Sequence, residues 1–314
     1  MLEMLSITGP IFTTIGLGFL AARIGLFTKI ELQVIGRFVI NFALPALLFK
    51  SLSEREINEI FNLSYLLAYT IGSLTVLGLG YLWSRRVTGL GHSASTFSVM
   101  GMSCSNSGFI GYPILLLSMP SIAGVAFALN LLVEQLVMLP LLLAMAEYQP
   151  GASQKWLQVM TLSLSRLIRN PLILALMAGC CVSLMGWRLP GVVVATVSMF
   201  AQTCGALALF IVGGTLFGLP LRGMGRRVAP VVIGKLIGHP MAVLLAHLLL
   251  SIMGIPGADP DLRAAAVLTA AVPMLSTYTI FAQAYGEDEA TAQSMLVATV
   301  ASFFTLSGLM YLLL

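Results

Sequence analysis

Two long apolar runs in this chain are interrupted near their middles, and the interruptions lie about 160 residues apart. The first reads Ser103-Cys104-Ser105-Asn106-Ser107-Gly108-Phe109-Ile110-Gly111-Tyr112-Pro113. The second reads Ala270-Ala271-Val272-Pro273-Met274-Leu275-Ser276-Thr277-Tyr278. Both place proline and hydroxyl groups where a plain membrane helix would carry leucine. An unpaired backbone group in hydrocarbon is costly, so chain that leaves the helix at that depth must be buried in protein or line a wet cavity. Interrupted spans at matching places in two halves point to a binding site for a transported solute.

The apolar runs dominate the composition. Of 314 residues, 58% are hydrophobic and 9% are charged, with mean hydropathy +0.98. An average soluble domain carries about 25% charged residues. The chain therefore reads as an all-α integral membrane protein. Its net charge of +4 comes from basic residues scattered between apolar runs, which is no nucleic-acid signature. Cys104, Cys180, Cys181 and Cys204 all fall inside apolar spans and lack metal-ligand spacing, so neither a disulfide framework nor a metal centre is expected. Met1-Leu2-Glu3 has no basic leader, and the first apolar run reads as a retained span rather than a cleaved signal.

A hydrocarbon core about 30 Å thick takes roughly 20 apolar residues as helix. Ten segments meet that length, at about 5–24, 31–51, 64–84, 94–118, 121–145, 165–186, 190–217, 228–253, 263–285 and 289–313. Basic residues set their orientation. The loops after spans 1, 3, 5 and 7, with their flanking ends, hold Arg23, Lys29, Arg85, Arg86, Lys155, Arg166, Arg169, Arg222, Arg226 and Arg227. The opposite side has Lys50, Arg55, Arg188 and Arg263. This excess puts the odd-numbered loops in the cytoplasm of a multi-pass inner-membrane protein, with both termini on the non-cytoplasmic side.

Ten spans with a cytoplasmic loop after the fifth form two groups of five. An odd number of spans per group forces the second group in upside down. The expected organisation is a first five-helix repeat over 1–150, a short cytoplasmic linker over 151–164 and an inverted repeat over 165–314. Pro10, Gly18 and Gly25 recur as Pro171, Gly179 and Gly186 at a constant offset of 161, and Pro113 maps beside Pro273. The linker stretch Gln149-Pro150-Gly151-Ala152-Ser153-Gln154-Lys155 is polar and rich in helix breakers.

The first break centres on Asn106, flanked by Ser105 and Ser107 and followed by Gly108, Gly111 and Pro113. Glycine permits conformations outside the helix, and proline removes a donor and clashes with the preceding turn. Two readings stand: a kinked helix packed through small residues, or an unwound crossover whose N–H groups and Asn106 side chain meet a ligand. The second break pivots at Pro273, with Ser276, Thr277 and Tyr278 close behind, and carries the same two readings. Half-helix N-termini converging from opposite sides present N–H donors and partial positive charge, which suits a carboxylate.

Charge inside a span warrants a functional hypothesis because of its insertion cost. Arg37 and Lys235 lie about seven residues from a span end and can snorkel. Glu134, near the midplane, has to be protonated, paired with a cation such as Lys235, or facing water. Glu134, Lys235 and Asn41 are the coupling or gating candidates. Gln202, His239 and His247 complete the polar set, and a lone bundle histidine is usually hydrogen-bonded structure.

Four runs in order then resemble the auxin efflux carrier family, which includes plant PIN proteins and bacterial malonate and malate permeases. They are Asn41-Phe42-Ala43-Leu44-Pro45-Ala46-Leu47-Leu48-Phe49, Asn106 through Pro113, Lys235 five residues before Pro240, and Ala271-Val272-Pro273. The resemblance implies ten helices as a 5+5 inverted repeat with crossing, broken helices 4 and 9. It implies a scaffold of helices 1, 2, 6 and 7, and a transport domain of helices 3–5 and 8–10 that moves like an elevator. It puts an organic anion at the crossover, here at Asn106, Gly108, Pro113 and Pro273. The long hydrophilic loop of plant members is short here, and their paired Asn-Pro-Asn motifs are absent. The chain looks nearer to the bacterial dicarboxylate permeases.

The expected function is secondary transport of small organic anions, malonate-like dicarboxylates first. A channel-like anion pore, or a carrier of a monocarboxylate or indole acid, is the alternative. Substrate-binding candidates are Ser105, Asn106, Ser107, Gly108, Pro113, Pro273, Ser276, Thr277 and Tyr278. No cofactor is expected. The coupling ion is H+ or Na+, the partners are the substrate and the lipid bilayer, and a homodimer is one assembly open to the chain. No enzyme is expected: nothing in the sequence sets Ser105 or Ser107 beside His239 or His247, as nucleophilic catalysis requires. No Walker-type loop supports a primary pump.

Overall fold

The computed structural model describes residues 2–147, 169–218 and 227–313, except the side chains of 2–7, 57, 58 and 288. The expected linker at 151–164 lies outside them, as do Lys155, Arg166, Arg222 and Arg226. Every regular element among the described residues is helical. α1 spans Leu2–Arg23. α2, Lys29–Phe38, passes through a π turn at Val39–Ala43 into α3, Leu44–Ser53. A short α4, Ile57–Ile60, precedes α5, Leu63–Arg86. α6, His92–Ser103, ends at the first break, after which a π turn, Ser107–Gly111, opens α7, Tyr112–Ser118. α8, Ala123–Val133, continues through a π turn at Glu134–Met138 into α9, Leu139–Glu147. Then come α10, Pro171–Met185, and α11, Gly191–Leu216. α12, Val228–Ile233, a π turn at Gly234–Gly238 and α13, His239–Ile252, form one run. α14, Pro260–Ala271, ends at the second break; α15, Tyr278–Gln283, and α16, Asp288–Leu313, follow.

Among the described residues, six helical runs are long and apolar enough to cross a membrane: Lys29–Ser53, Leu63–Arg86, Ala123–Glu147, Gly191–Leu216, Val228–Ile252 and Glu289–Leu313. At 1.5 Å per residue, about 24 residues reach roughly 36 Å, enough for the hydrocarbon core. Helices are interrupted at 104–106 and at 272–277, where proline, glycine and hydroxyl residues cluster.

Each π turn among the described residues stands just before a proline, at Pro45, Pro113, Pro140 and Pro240. The cause is local. Proline has no N–H to donate and its ring pushes on the carbonyl four residues back, so the turn widens. The residue ahead of the proline then donates five residues back. Leu44 N–H bonds Val39 O, Leu139 N–H bonds Glu134 O, and His239 N–H bonds Gly234 O. These turns re-aim the side chains at their starts, among them Glu134 and Lys235.

The chain divides into two compact units. Unit 1 holds Met1–Asn62, Gly108–Leu129 and Leu167–Gly218, and unit 2 holds Leu63–Ser107, Asn130–Arg166 and Leu219–Leu314. Each draws on both halves of the sequence. In unit 1, α1 lies backbone-close to α11, because Gly18 and Gly213 carry no side chain where the helices meet. A Cβ on Gly18 would collide with the Phe210 carbonyl, and one on Gly213 with the Ile15 carbonyl. Phe19 against Phe217 and Phe27 against Phe210 extend the seam as edge-on pairs at 5.8 and 5.5 Å. Likewise α10 meets α3 at Gly179, where a Cβ would come 3.0 Å from the Phe49 carbonyl. Gly18 and Gly179 thus serve as close-contact points 161 residues apart. Gly25 and Gly186, at the same offset, both adopt positive φ, +77° and +60°, just past the ends of α1 and α10.

Gly213→Val is expected to force α1 and α11 apart. Overpacking of this kind costs about 1–3 kcal/mol, and here the obstacle is backbone, which cannot rotate aside. The purified variant should show a thermal midpoint several degrees below wild type in the same detergent.

In unit 2, Gly72 of α5 takes the backbone of Val243 in α13 against it, 2.7 Å from a would-be Cβ. Met102 of α6 fills the gap between Gly80 and Gly234, where added Cβ atoms would come 2.9 and 2.8 Å from it. This small-residue seam lets α6 run deep into the unit and end there, as membrane helix interfaces commonly do.

Candidate functional site

The two helix breaks meet inside unit 2. The first leaves Cys104, Ser105 and Asn106 outside any helix, and the second frees Val272 through Thr277. Asn106 joins them twice. Its backbone N–H donates to the Pro273 carbonyl at 2.8 Å, and its side-chain Nδ2 donates to Ser276 Oγ at 2.7 Å. One backbone donor released by the first break is thereby satisfied by a carbonyl of the second. Ser105, Asn106 and Ser107 are buried, whereas Ser276 and Thr277 remain half-buried. The crossover therefore has one sealed side and one more open.

The sealed side rests on charge. Lys235 is fully buried, at 0% exposure, so it does not snorkel. Its Nζ donates to Ser105 Oγ at 2.6 Å and lies 2.9 Å from His239 Nδ1, one turn on. With the amine donating to Nδ1, the imidazole proton sits on Nε2 and points at Ser73 Oγ, 2.9 Å away. Tyr69 OH donates to Ser105 Oγ at 3.0 Å. From the other flank, Glu134 Oε1 accepts from Ser105 N–H at 3.1 Å and from Ser107 Oγ at 2.8 Å. Ser105 thus stands between one acid and one amine, bonded to both. The cluster is formally neutral when both are ionised, which is how buried charge is tolerated.

The candidates named from the sequence divide as follows. Ser105, Asn106, Ser107, Pro273, Ser276, Glu134 and Lys235 are brought together by the bonds above. Thr277 is half-buried at the head of α15. Tyr278 is a structural post: buried beneath Gly101, it donates its hydroxyl to Phe97 O at 2.8 Å. Gly108 and Pro113 belong to unit 1, where Gly108 packs 3.2 Å (as a would-be Cβ) from Leu44 and Pro113 sets the π turn. Asn41 also belongs to unit 1. It is exposed and donates to its own helix, Nδ2 to Arg37 O at 2.7 Å, so it takes no part in the cluster.

Sequence reasoning passed over Tyr69 and Ser73. Their signal was present: Tyr65, Tyr69 and Ser73 recur every four residues and so share one face of α5. It went unread because aromatic residues at helical spacing usually mean packing. Among the described residues no group of three His, Cys, Asp or Glu side chains could hold a metal ion. The Ser105 and Ser107 hydroxyls are taken by Tyr69, Lys235 and Glu134, and the two ring nitrogens of His239 meet Lys235 and Ser73.

Known proteins give this geometry a context. A family profile described as "Membrane transport protein" (Mem_trans) matches residues 8–311. The chain is 29% identical to a protein of Rhizobium meliloti named "Putative malonate transporter", over 319 aligned positions that cover 100% of this chain and 97% of the relative. A protein of Methanothermobacter thermautotrophicus named "Uncharacterized transporter" is 31% identical over 99 residues, covering 31% of this chain and 32% of its own length.

Proposed function

Because the chain belongs to the Membrane transport protein (Mem_trans) family, we propose that it is a secondary carrier of small organic anions, with malonate-like dicarboxylates as its leading substrates. One observation carries this reading: Asn106 ties the two broken segments together beside half-buried Ser276 and Thr277. A carboxylate leaves water at high cost unless donors replace its hydration. The Asn106 amide, the Ser276 and Thr277 hydroxyls and the first turn of α15 supply donors, and Lys235 supplies positive charge one hydrogen bond behind the break. The name of the full-length relative supports a C3 dicarboxylate.

In this reading the chain spans the inner membrane ten times as two inverted groups of five, with both termini outside. The excess of basic residues on one side and the matching roles of Gly18 with Gly179 and Gly25 with Gly186 support it. Helices 3–5 and 8–10 carry the substrate and move as a body between the two faces, in the manner of an elevator. Uptake by proteoliposomes containing the pure protein tests the proposal. A panel of mono- and dicarboxylates should show saturable malonate uptake with acceleration by internal malonate. Ohmic anion currents without saturation would instead identify a pore, and no uptake of any carboxylate would reject the substrate class.

Coupling runs through Glu134. Lys235, His239, Tyr65, Tyr69 and Cys104 are the titratable groups around it and the Ser105 it binds. Glu134→Gln keeps a hydrogen-bond acceptor for Ser105 and Ser107 but cannot carry the charge. We expect this variant to bind malonate and to lose the stimulation that an inward proton gradient gives wild type, with an imposed sodium gradient as the parallel arm. Unchanged rate and unchanged pH dependence would remove Glu134 from the coupling path.

A further inference from the structure

Lys235 does not aim its own amine. Its stem is a flexible four-carbon chain with freely turning donors, yet in unit 2 it is directed at Ser105 Oγ, 2.6 Å away. The direction comes from His239. Lys235 lies in the π turn Gly234–Gly238 and His239 follows that turn, so the two side chains share a face of the run. Nζ stands 2.9 Å from His239 Nδ1, and Ser73 Oγ of α5 stands 2.9 Å from His239 Nε2. The ring is thus held at both ends. Turning it over about its Cβ–Cγ bond would put carbon where each nitrogen now stands and break both contacts. Tyr69 packs against the same ring edge-on, with centroids 5.5 Å apart.

What the amine reaches decides the placement of the next residue. Ser105 Oγ accepts from Lys235 and from Tyr69, which fills both lone pairs of the hydroxyl. Its backbone N–H donates to Glu134 Oε1. A residue that belongs to no helix is thereby fixed from three sides. Asn106 follows it directly, with its N–H on Pro273 O and its amide on Ser276 Oγ. The contacts run in order from Ser73 to His239, Lys235, Ser105 and Asn106. They begin at a hydroxyl that is 0% exposed, which makes Ser73 and His239 an anchor rather than a route for protons.

We infer that His239 is a positioning residue for transport: locked by Ser73, its Nδ1 holds the Lys235 amine on Ser105 and so sets the direction in which Asn106 presents its amide. This rests on the carrier reading above, in which Asn106 meets the anion. His239 touches no substrate itself. Its effect is on affinity, through the segment it steadies.

Two substitutions separate the ends of the ring. Asparagine puts an acceptor near the place of Nδ1 but does not reach Ser73. Glutamine puts a donor near the place of Nε2 but leaves Lys235 without its acceptor. In proteoliposomes of the full chain, KM for malonate should rise about tenfold in His239→Leu and in His239→Gln, the size of one misdirected hydrogen bond to a charged partner, with Vmax within about twofold of wild type. His239→Asn should recover most of that loss. A role in packing alone would rank the variants by bulk and put glutamine nearer to histidine than asparagine. Asparagine no better than glutamine, or wild-type KM in both His239→Leu and His239→Gln, overturns the inference. Thermal midpoints report that each variant is folded. A second measurement needs no variant to fold. The chain has three histidines. In wild type isotopically labelled at the nitrogens of histidine and lysine, magnetic resonance should find one neutral ring with its proton on Nε2 and a lysine amine in contact with Nδ1. Spectra in which no ring shows that contact overturn the inference as well. Failure of wild type to take up any carboxylate would reject the carrier reading, while the spectra still decide whether His239 holds Lys235.

Discussion

Asn106→Ala is expected to cut malonate uptake by about 10- to 100-fold while leaving the protein folded. The backbone bond from Asn106 N–H to Pro273 O survives the substitution, so the crossing of the two segments persists. What is lost is the amide Nδ2, the donor now bonded to Ser276 Oγ, which would meet the anion. A hydrogen bond to a charged partner contributes about 1.5–3 kcal/mol, and about 1.4 kcal/mol is a factor of ten. Asn106→Asp should be worse still, since it sets a negative charge where the substrate charge must sit. Initial uptake rates by proteoliposomes, with thermal midpoints alongside, read the effect. Combining Asn106→Ala with Ser276→Ala should cost less than the sum of the two, because they share one bond. Wild-type rates in both single variants would move the substrate away from the crossover.

Lys235→Met is expected to be the most destabilising single change in unit 2. Methionine matches the length of the stem but removes the donor to Ser105 and the partner of His239. It also leaves Glu134 without a cation in a buried site. Removing one member of a buried charge pair typically costs about 3–5 kcal/mol, whereas replacing both can be nearly neutral. The double variant Glu134→Gln with Lys235→Met should therefore be more stable than Lys235→Met alone, read as thermal midpoint and as folded yield from the membrane. Lys235→Arg should not rescue it, because a planar guanidinium needs more room than a site with 0% exposure provides. A double variant no better than the single would show that Glu134 and Lys235 do not depend on one another.

Particular residues show why some of this was legible in the sequence. The breaks were, because proline and glycine act on their own backbone and need no distant partner. That Glu134 needs a partner was too, since a carboxylate near the bilayer midplane demands one wherever it lies. The π turns were not read, although each follows from its proline. Asn41 stood in a motif that carries a later proline, as Asn106 did, yet it turns back on Arg37 O. Tyr278 sat in the second break with the correct chemistry and became a packing post for α6. Which polar residue serves the site and which serves the helix depends on the neighbour across the gap, and no local pattern records that neighbour.

The sequence by itself determined that this chain lives in a membrane, that it is helical, and where its helices fail. Those outcomes depend on the transfer of apolar side chains out of water and on backbone sterics, both properties of short stretches. Only the tertiary structure decided that the two failures meet through Asn106, and that Ser105 links Lys235 to Glu134 across 130 and 29 positions of sequence. Hydrogen bonds extend about 3 Å, so a cluster assembled from four separate segments exists only once packing has brought them together.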